Sequence, residues 1–148
     1  MGDELAVEEL LNAVYRKNDR EVFARVFDLN KKDSKELTPL HYAMLYENLK
    51  CISLLASNSA RFDVVHKGML PIHMACLLGK VDVLRALVDS GKGVGVDDTD
   101  MISNATPLFY AAFAGSIPCI ELLLSKSAFI DAEDTAGYTP LLIAGYGF

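Results

Sequence analysis

The chain has 148 residues, enough for one ordinary domain or one short repeat array. Hydrophobic residues make up 51% of it, which suffices for a substantial core and argues against intrinsic disorder. Net charge is −6 and the 14 Lys and Arg are scattered, which argues against nucleic acid and anionic lipid, because binding phosphate rests on clustered cations.

Even the densest basic stretch, Arg16, Lys17 and Arg20, is interrupted by Asp19 and followed by Glu21. The three cysteines, Cys51, Cys76 and Cys119, lie in apolar segments and show no paired spacing of a metal or redox motif. They read as reduced, buried thiols. The N-terminus shows no basic, apolar, small-residue order of a signal peptide, and no apolar run reaches the ~18 residues a membrane helix needs. The expected location is the cytoplasm.

In chain order, residues 1–32 read as a degenerate capping unit. Leu10 to Val14 and Glu21 to Phe27 have the apolar spacing of two short helices. Asp3, Glu4, Glu8, Glu9, Asn12, Arg16 and Lys17 give this unit a polar outer face.

From residue 33 the chain repeats itself. Thr38-Pro39-Leu40-His41-Tyr42-Ala43 returns as Leu70-Pro71-Ile72-His73-Met74-Ala75, as Thr106-Pro107-Leu108-Phe109-Tyr110-Ala111 and as Thr139-Pro140-Leu141-Leu142-Ile143-Ala144, at intervals of 32, 36 and 33 residues. In three of the four copies Thr is placed to cap a helix, and in all four Pro fills the first turn, where a missing N–H costs nothing. Small residues follow, so that neighbouring helices can approach. A break comes next, at Glu47-Asn48, Gly79-Lys80 or Gly115-Ser116, and then a second amphipathic helix ending near Leu55, Val88 or Leu124. A turn with Gly68 or Gly137 available for positive φ leads to the next copy. The three-residue excess of the longest interval is expected to lengthen the turn near residues 93–105. The last copy stops at Phe148, where a second helix should begin, so Leu141, Leu142, Ile143 and Tyr146 are expected to lack cover and more repeats or a further domain to follow.

With this period and this T-P-L-H-x-A signature, residues 33–148 resemble the ankyrin-repeat family. The resemblance implies an all-α solenoid of helix–turn–helix units with finger-like turns: three full repeats and one truncated. It also implies a protein–protein interaction module, not an enzyme. Leu70 replaces the capping Thr, so that cap should be weaker. The family's histidine ties adjacent repeats to loop backbone; the tie is expected at His41 and His73 and is impossible at Phe109 and Leu142.

Other candidate chemistry has a plainer explanation. Gly91-Lys92-Gly93-Val94-Gly95 looks like a phosphate loop but follows a helix instead of opening one. Asp97-Asp98-Thr99-Asp100 lacks the Gly and Glu of a calcium loop and reads as a solvated acidic fingertip. No nucleophile motif of the G-x-S-x-G type occurs, and Asn104-Ala105-Thr106 reads as a turn and a cap. No catalytic residue, metal ligand or cofactor is expected.

One pattern exceeds a purely structural role. The resemblance places the residues after the small pair in the concave groove: Tyr15-Arg16, Leu45-Tyr46, Leu77-Leu78, Phe113-Ala114 and Tyr146-Gly147. A large apolar residue leads each pair. The flanking fingers carry Leu37, Met69, Met101, Ile102 and Tyr138. The expected partner-binding residues are Leu45, Tyr46, Met69, Leu77, Leu78, Ile102, Phe113 and Tyr138, with Asp97, Asp98 and Asp100 as an acidic edge. They suit a protein or peptide that is apolar with basic flanks, such as a helix laid in the groove. An alternative is an intramolecular regulatory arm of a longer channel, kinase or acyltransferase.

Overall fold

A computed structural model describes residues 28–146. These form seven helices, in four first–second units of which the last has only its first helix: α1 (Pro39–Leu45) and α2 (Leu49–Ser57), α3 (Pro71–Leu77) and α4 (Val81–Val88), α5 (Pro107–Phe113) and α6 (Ile117–Ser125), and α7 (Pro140–Tyr146). The capping unit expected over residues 1–32 lies almost wholly outside the described residues, as do Gly147 and Phe148.

Each first helix begins at its proline, as the sequence predicts. The Thr106 and Thr139 hydroxyls accept the N–H groups of Phe109 and Leu142 at 3.4 and 3.3 Å. Thr38 differs. Its N–H donates to His41 Nδ1 at 2.9 Å and its hydroxyl faces the same nitrogen at 2.9 Å, so the ring replaces the expected backbone cap. At Leu70, which has no hydroxyl, only the backbone half survives: its N–H donates to His73 Nδ1 at 3.1 Å.

The breaks are left-handed. Gly79 and Gly115 both have φ of 67°, and Glu47 is held at 52°. Asn48 then caps α2, accepting Cys51 N–H at 3.0 Å. The second helices bury Ile52, Leu55, Val83, Leu84, Leu87 and Leu123 against Leu40, Ile72 and Leu108 of the first helices, forming one continuous core. All three cysteines are buried and free; burial pushes the Cys51 thiol up to about 11.

The long interval is resolved as expected. The connection from α4 to α5 runs over residues 89–106, against 58–70 and 126–139 for the others, while helix lengths hardly change. The extra length goes into a finger because lengthening a helix would turn its apolar face away from the core. First helices line one layer, where α3 packs on α5 and α5 on α7; second helices line the other, α2 on α4 and α4 on α6.

Candidate functional site

The fingers are built around carboxylates. Asp33 Oδ1 accepts the N–H groups of Lys35 and Leu37 at 2.8 and 2.9 Å, and Asp134 Oδ1 those of Ala136 and Tyr138 at 2.9 and 2.8 Å. Neighbouring fingers are stitched through backbone: Met101 N–H donates to Gly68 O at 2.9 Å and Thr135 N–H to Ser103 O at 2.8 Å. Gly68 has φ of 79°, and a Cβ there would strain the turn and sit 2.6 Å from Ile102 Cγ1, displacing that side chain.

Asp100 corrects the sequence reading. It was expected at the acidic edge, yet it is only 5% exposed. Its Oδ1 accepts Ile102 and Ser103 N–H at 2.9 and 2.8 Å, and its Oδ2 takes the Tyr110 hydroxyl. Burial alone would raise its pKa, but the Tyr110 hydroxyl and the two N–H groups outweigh it and the carboxyl ends below the ordinary Asp value. Burial first, and then Asp100, pushes Tyr110 up to about 12. Asp100 therefore shapes the finger and is not presented to a partner. Asp97 and Asp98 are exposed, though each also serves the fold: Asp97 Oδ1 accepts Phe129 N–H at 2.9 Å and Asp98 Oδ2 accepts Gly95 N–H at 3.1 Å.

The inter-repeat histidine tie is half as common as expected. His73 Nε2 donates to Asp98 O at 2.7 Å. His41 is fully buried, and its Nε2 makes no hydrogen bond of ordinary geometry, although the Val64 backbone lies near enough to favour the charged ring. With Nδ1 accepting from Thr38 N–H, that Nε2 carries the ring proton. Burial, with His66 and Lys32 nearby, brings the His41 pKa down to about 4.

The apolar residues expected along the groove are mostly on the surface. Leu45, Tyr46, Leu77, Leu78 and Phe113 are exposed, Tyr46 by 69% and Phe113 by 50%. On the fingers Tyr138 is exposed, and Met101 and Ile102 form the most open apolar tip, at 77% and 65%. The equivalent tips are polar or small: Ser34-Lys35, Lys67-Gly68 and Thr135-Ala136. Met69 is half-buried, and Leu37 is buried, so the finger closes over Leu37 and removes it from the groove. Tyr15 and Arg16 lie outside the described residues. The glycine-rich stretch ends α4 with Gly91 and Gly93 at φ of 72° and 70°, and Lys92 Nζ is spent on Asn58 O at 2.8 Å.

Sequence reasoning missed Phe129 and Ile130, both exposed. The signal was available: Phe129 occupies a repeat position held by Arg61 and Gly95 in the other units, so an apolar side chain there is out of pattern.

Stacked helix pairs, a continuous core and backbone-stitched fingers define a helix–turn–helix repeat solenoid. Among the described residues no helix is long and apolar enough to cross a membrane. The family model for ankyrin repeats (3 copies) matches residues 6–100, and that for a single ankyrin repeat matches residues 103–135. The chain belongs to the ankyrin-repeat family. It is similar to an ankyrin repeat protein of fowlpox virus, 32% identical over 105 residues that cover 71% of this chain and 72% of the viral one. It is similar to the Drosophila melanogaster transient receptor potential cation channel subfamily A member 1, 30% identical over 116 residues, 76% of this chain and 10% of the channel. It is also similar to the Mus musculus B-cell lymphoma 3 protein homolog, 32% identical over 143 residues, 89% of this chain and 32% of that protein. The chain thus spans a minor part of both animal proteins.

Proposed function

We propose that this repeat array binds a protein partner along the groove lined by its first helices and fingers. The observation that carries the reading is the recurrence of exposed large apolar residues at one repeat position, Leu45, Leu77, Phe113 and Tyr146, with Tyr46 and Leu78 beside the first two. Exposed apolar surface in a row costs solubility and is characteristic of interaction sites. Each side chain covered by a partner contributes about 1.5–3 kcal/mol before association costs, so a few suffice for a useful complex. The exposed carboxylates of Asp97 and Asp98 suit basic residues flanking an apolar segment, acting mainly on association rate. A cytoplasmic, reducing setting suits the three free thiols.

The test is a pair of substitutions. Leu77 is exposed and tolerates a polar side chain, so Leu77→Asp is expected to keep its helical circular dichroism and lose partners retained by the parent in a pull-down from lysate. Leu87 is fully buried, so Leu87→Asp places an unpaired charge in the core, costs several kcal/mol and unfolds the array. If Leu77→Asp unfolds, Leu77 is core; if it stays folded and keeps every partner, the groove is not the site. A second reading, a regulatory arm acting in cis within a longer protein, is supported by the likeness to a short stretch of the cation channel.

A further inference from the structure

One junction in the array differs from the others. Inner helices α3 and α5 pack directly together, and so do α5 and α7, whereas α1 and α3 make no comparable contact. The sequence offers a cause. The second residue of each small pair is Cys76 in α3, Ala112 in α5 and Gly145 in α7, but Met44 in α1. Met44 is buried, at 1% exposure, so its extra length cannot be relieved into solvent.

The direction of this position can be read from the next junction. Cys76 lies close enough to Cys119, one repeat on, for the two thiols to push up the Cys76 pKa beyond the effect of burial. The position therefore looks toward the following repeat. Its counterpart across the first junction is Val83, the α4 residue equivalent to Cys119. Met44 with Val83 must fit where Cys76 with Cys119 fits one step later, and close-packed interiors transmit such a volume difference as displacement.

The difference is confined to the inner layer, since the outer helices α2 and α4 pack together as α4 and α6 do, and one further observation falls on the same side. The His73 tie to Asp98 O is made at 2.7 Å, but His41, its equivalent, brings its Nε2 only near the Val64 backbone without making such a bond.

We propose that Met44, backed by Val83, is a spacer that holds α1 off α3 while the outer helices stay packed, and so widens the binding groove between Tyr46 and Leu78. This makes Met44 a specificity-determining residue that never touches the partner. Resting on the groove reading above, it assigns the wide step to a bulky apolar side chain of the partner, while the closely packed steps beyond suit small ones.

The test compares the parent with Met44→Cys, which gives the first junction the residue of the second. Spin labels at Tyr46→Cys with Leu78→Cys report the wide step, and labels at Leu78→Cys with Ala114→Cys the next one. The native thiols are buried and shielded from a surface-directed label. Met44→Cys is expected to shorten the 46–78 distance, leave 78–114 unchanged, and slow exchange of the His41 Nε2 proton toward the rate of His73. An unchanged 46–78 distance overturns the proposal, whatever happens to stability. If Met44→Cys does not fold, Cys76→Met runs the test in reverse: a second spacer should lengthen 78–114 and free the His73 Nε2 proton, and no lengthening overturns it. None of these readouts requires a partner, so the outcome is independent of whether Leu77→Asp supports the groove.

Discussion

His41 and His73 occupy the same repeat position and are both fully buried, yet only His73 has its proton hydrogen-bonded across the repeat junction. A buried N–H without a well-formed hydrogen bond is costly, up to about 1–3 kcal/mol when nothing at all compensates it. It also makes His41 a source of acid sensitivity. Its folded pKa of about 4 lies below the ordinary histidine value of 6.5, so the unfolded chain binds the extra proton first. The stability attached to the neutral ring is present above pH ~6.5 and is lost as pH falls toward 4, by roughly 3 kcal/mol over the window. His41→Gln is expected to flatten chemical-denaturation stability between pH 6.5 and 4 relative to the parent. An unaltered slope would show that other groups set the acid limb. Asp33 and Asp100, both held below the ordinary Asp value, lose their contribution only at still lower pH, as they are protonated.

Among the elements, the left-handed break between paired helices shows a local rule being broken. Gly79 and Gly115 adopt it freely, but Glu47 is forced to φ of 52°. For a residue with a Cβ that conformation costs roughly 1–2 kcal/mol, part of which glycine's greater loss of chain entropy would offset. Glu47 gains little in return: Lys80 Nζ lies 3.2 Å from its carboxylate on a partly exposed surface, and such pairs contribute little. Glu47→Gly is expected to raise stability by about 0.5–1 kcal/mol, read as a higher melting temperature with unchanged helical content. A fall would mean that the ion pair to Lys80, which also donates to Leu45 O at 3.0 Å, anchors the end of α1.

For the whole molecule, stability is a sum over neighbouring repeats. The residue equivalent to Leu40, Ile72 and Leu108, all buried in the core, is Leu141 in α7, and it is 81% exposed. Helix α7 rests on α5 and buries only Pro140 among its described side chains, whereas α5 buries Pro107, Leu108, Ala111 and Ala112. Backbone amides of α7 are therefore expected to exchange with solvent markedly faster than those of α5. Protection of α7 equal to that of α5 in hydrogen-exchange measurements would show that something covers Leu141.

The helix starts, the breaks, the core leucines and the place of the long finger were all legible in the residues. Each depends on a local signal: proline at the first turn in all four copies, a break residue and a Leu-rich face in three, and one spacing that a helix cannot absorb. The exposed groove residues Leu45, Leu77 and Phe113 could be read the same way, because their repeat position sets which side of the helix they take. What only the tertiary structure decided is where copies of one motif cease to be equivalent. Asp100 looks like Asp97 and Asp98 along the chain, but the Tyr110 hydroxyl, ten residues on, turns it inward. His41 and His73 share one motif, but only His73 makes a full hydrogen bond to a carbonyl of the next repeat. In the same way α1 stands apart from α3 while α3 packs on α5, a difference that turns on the combined volume of side chains from different helices, which no local pattern carries.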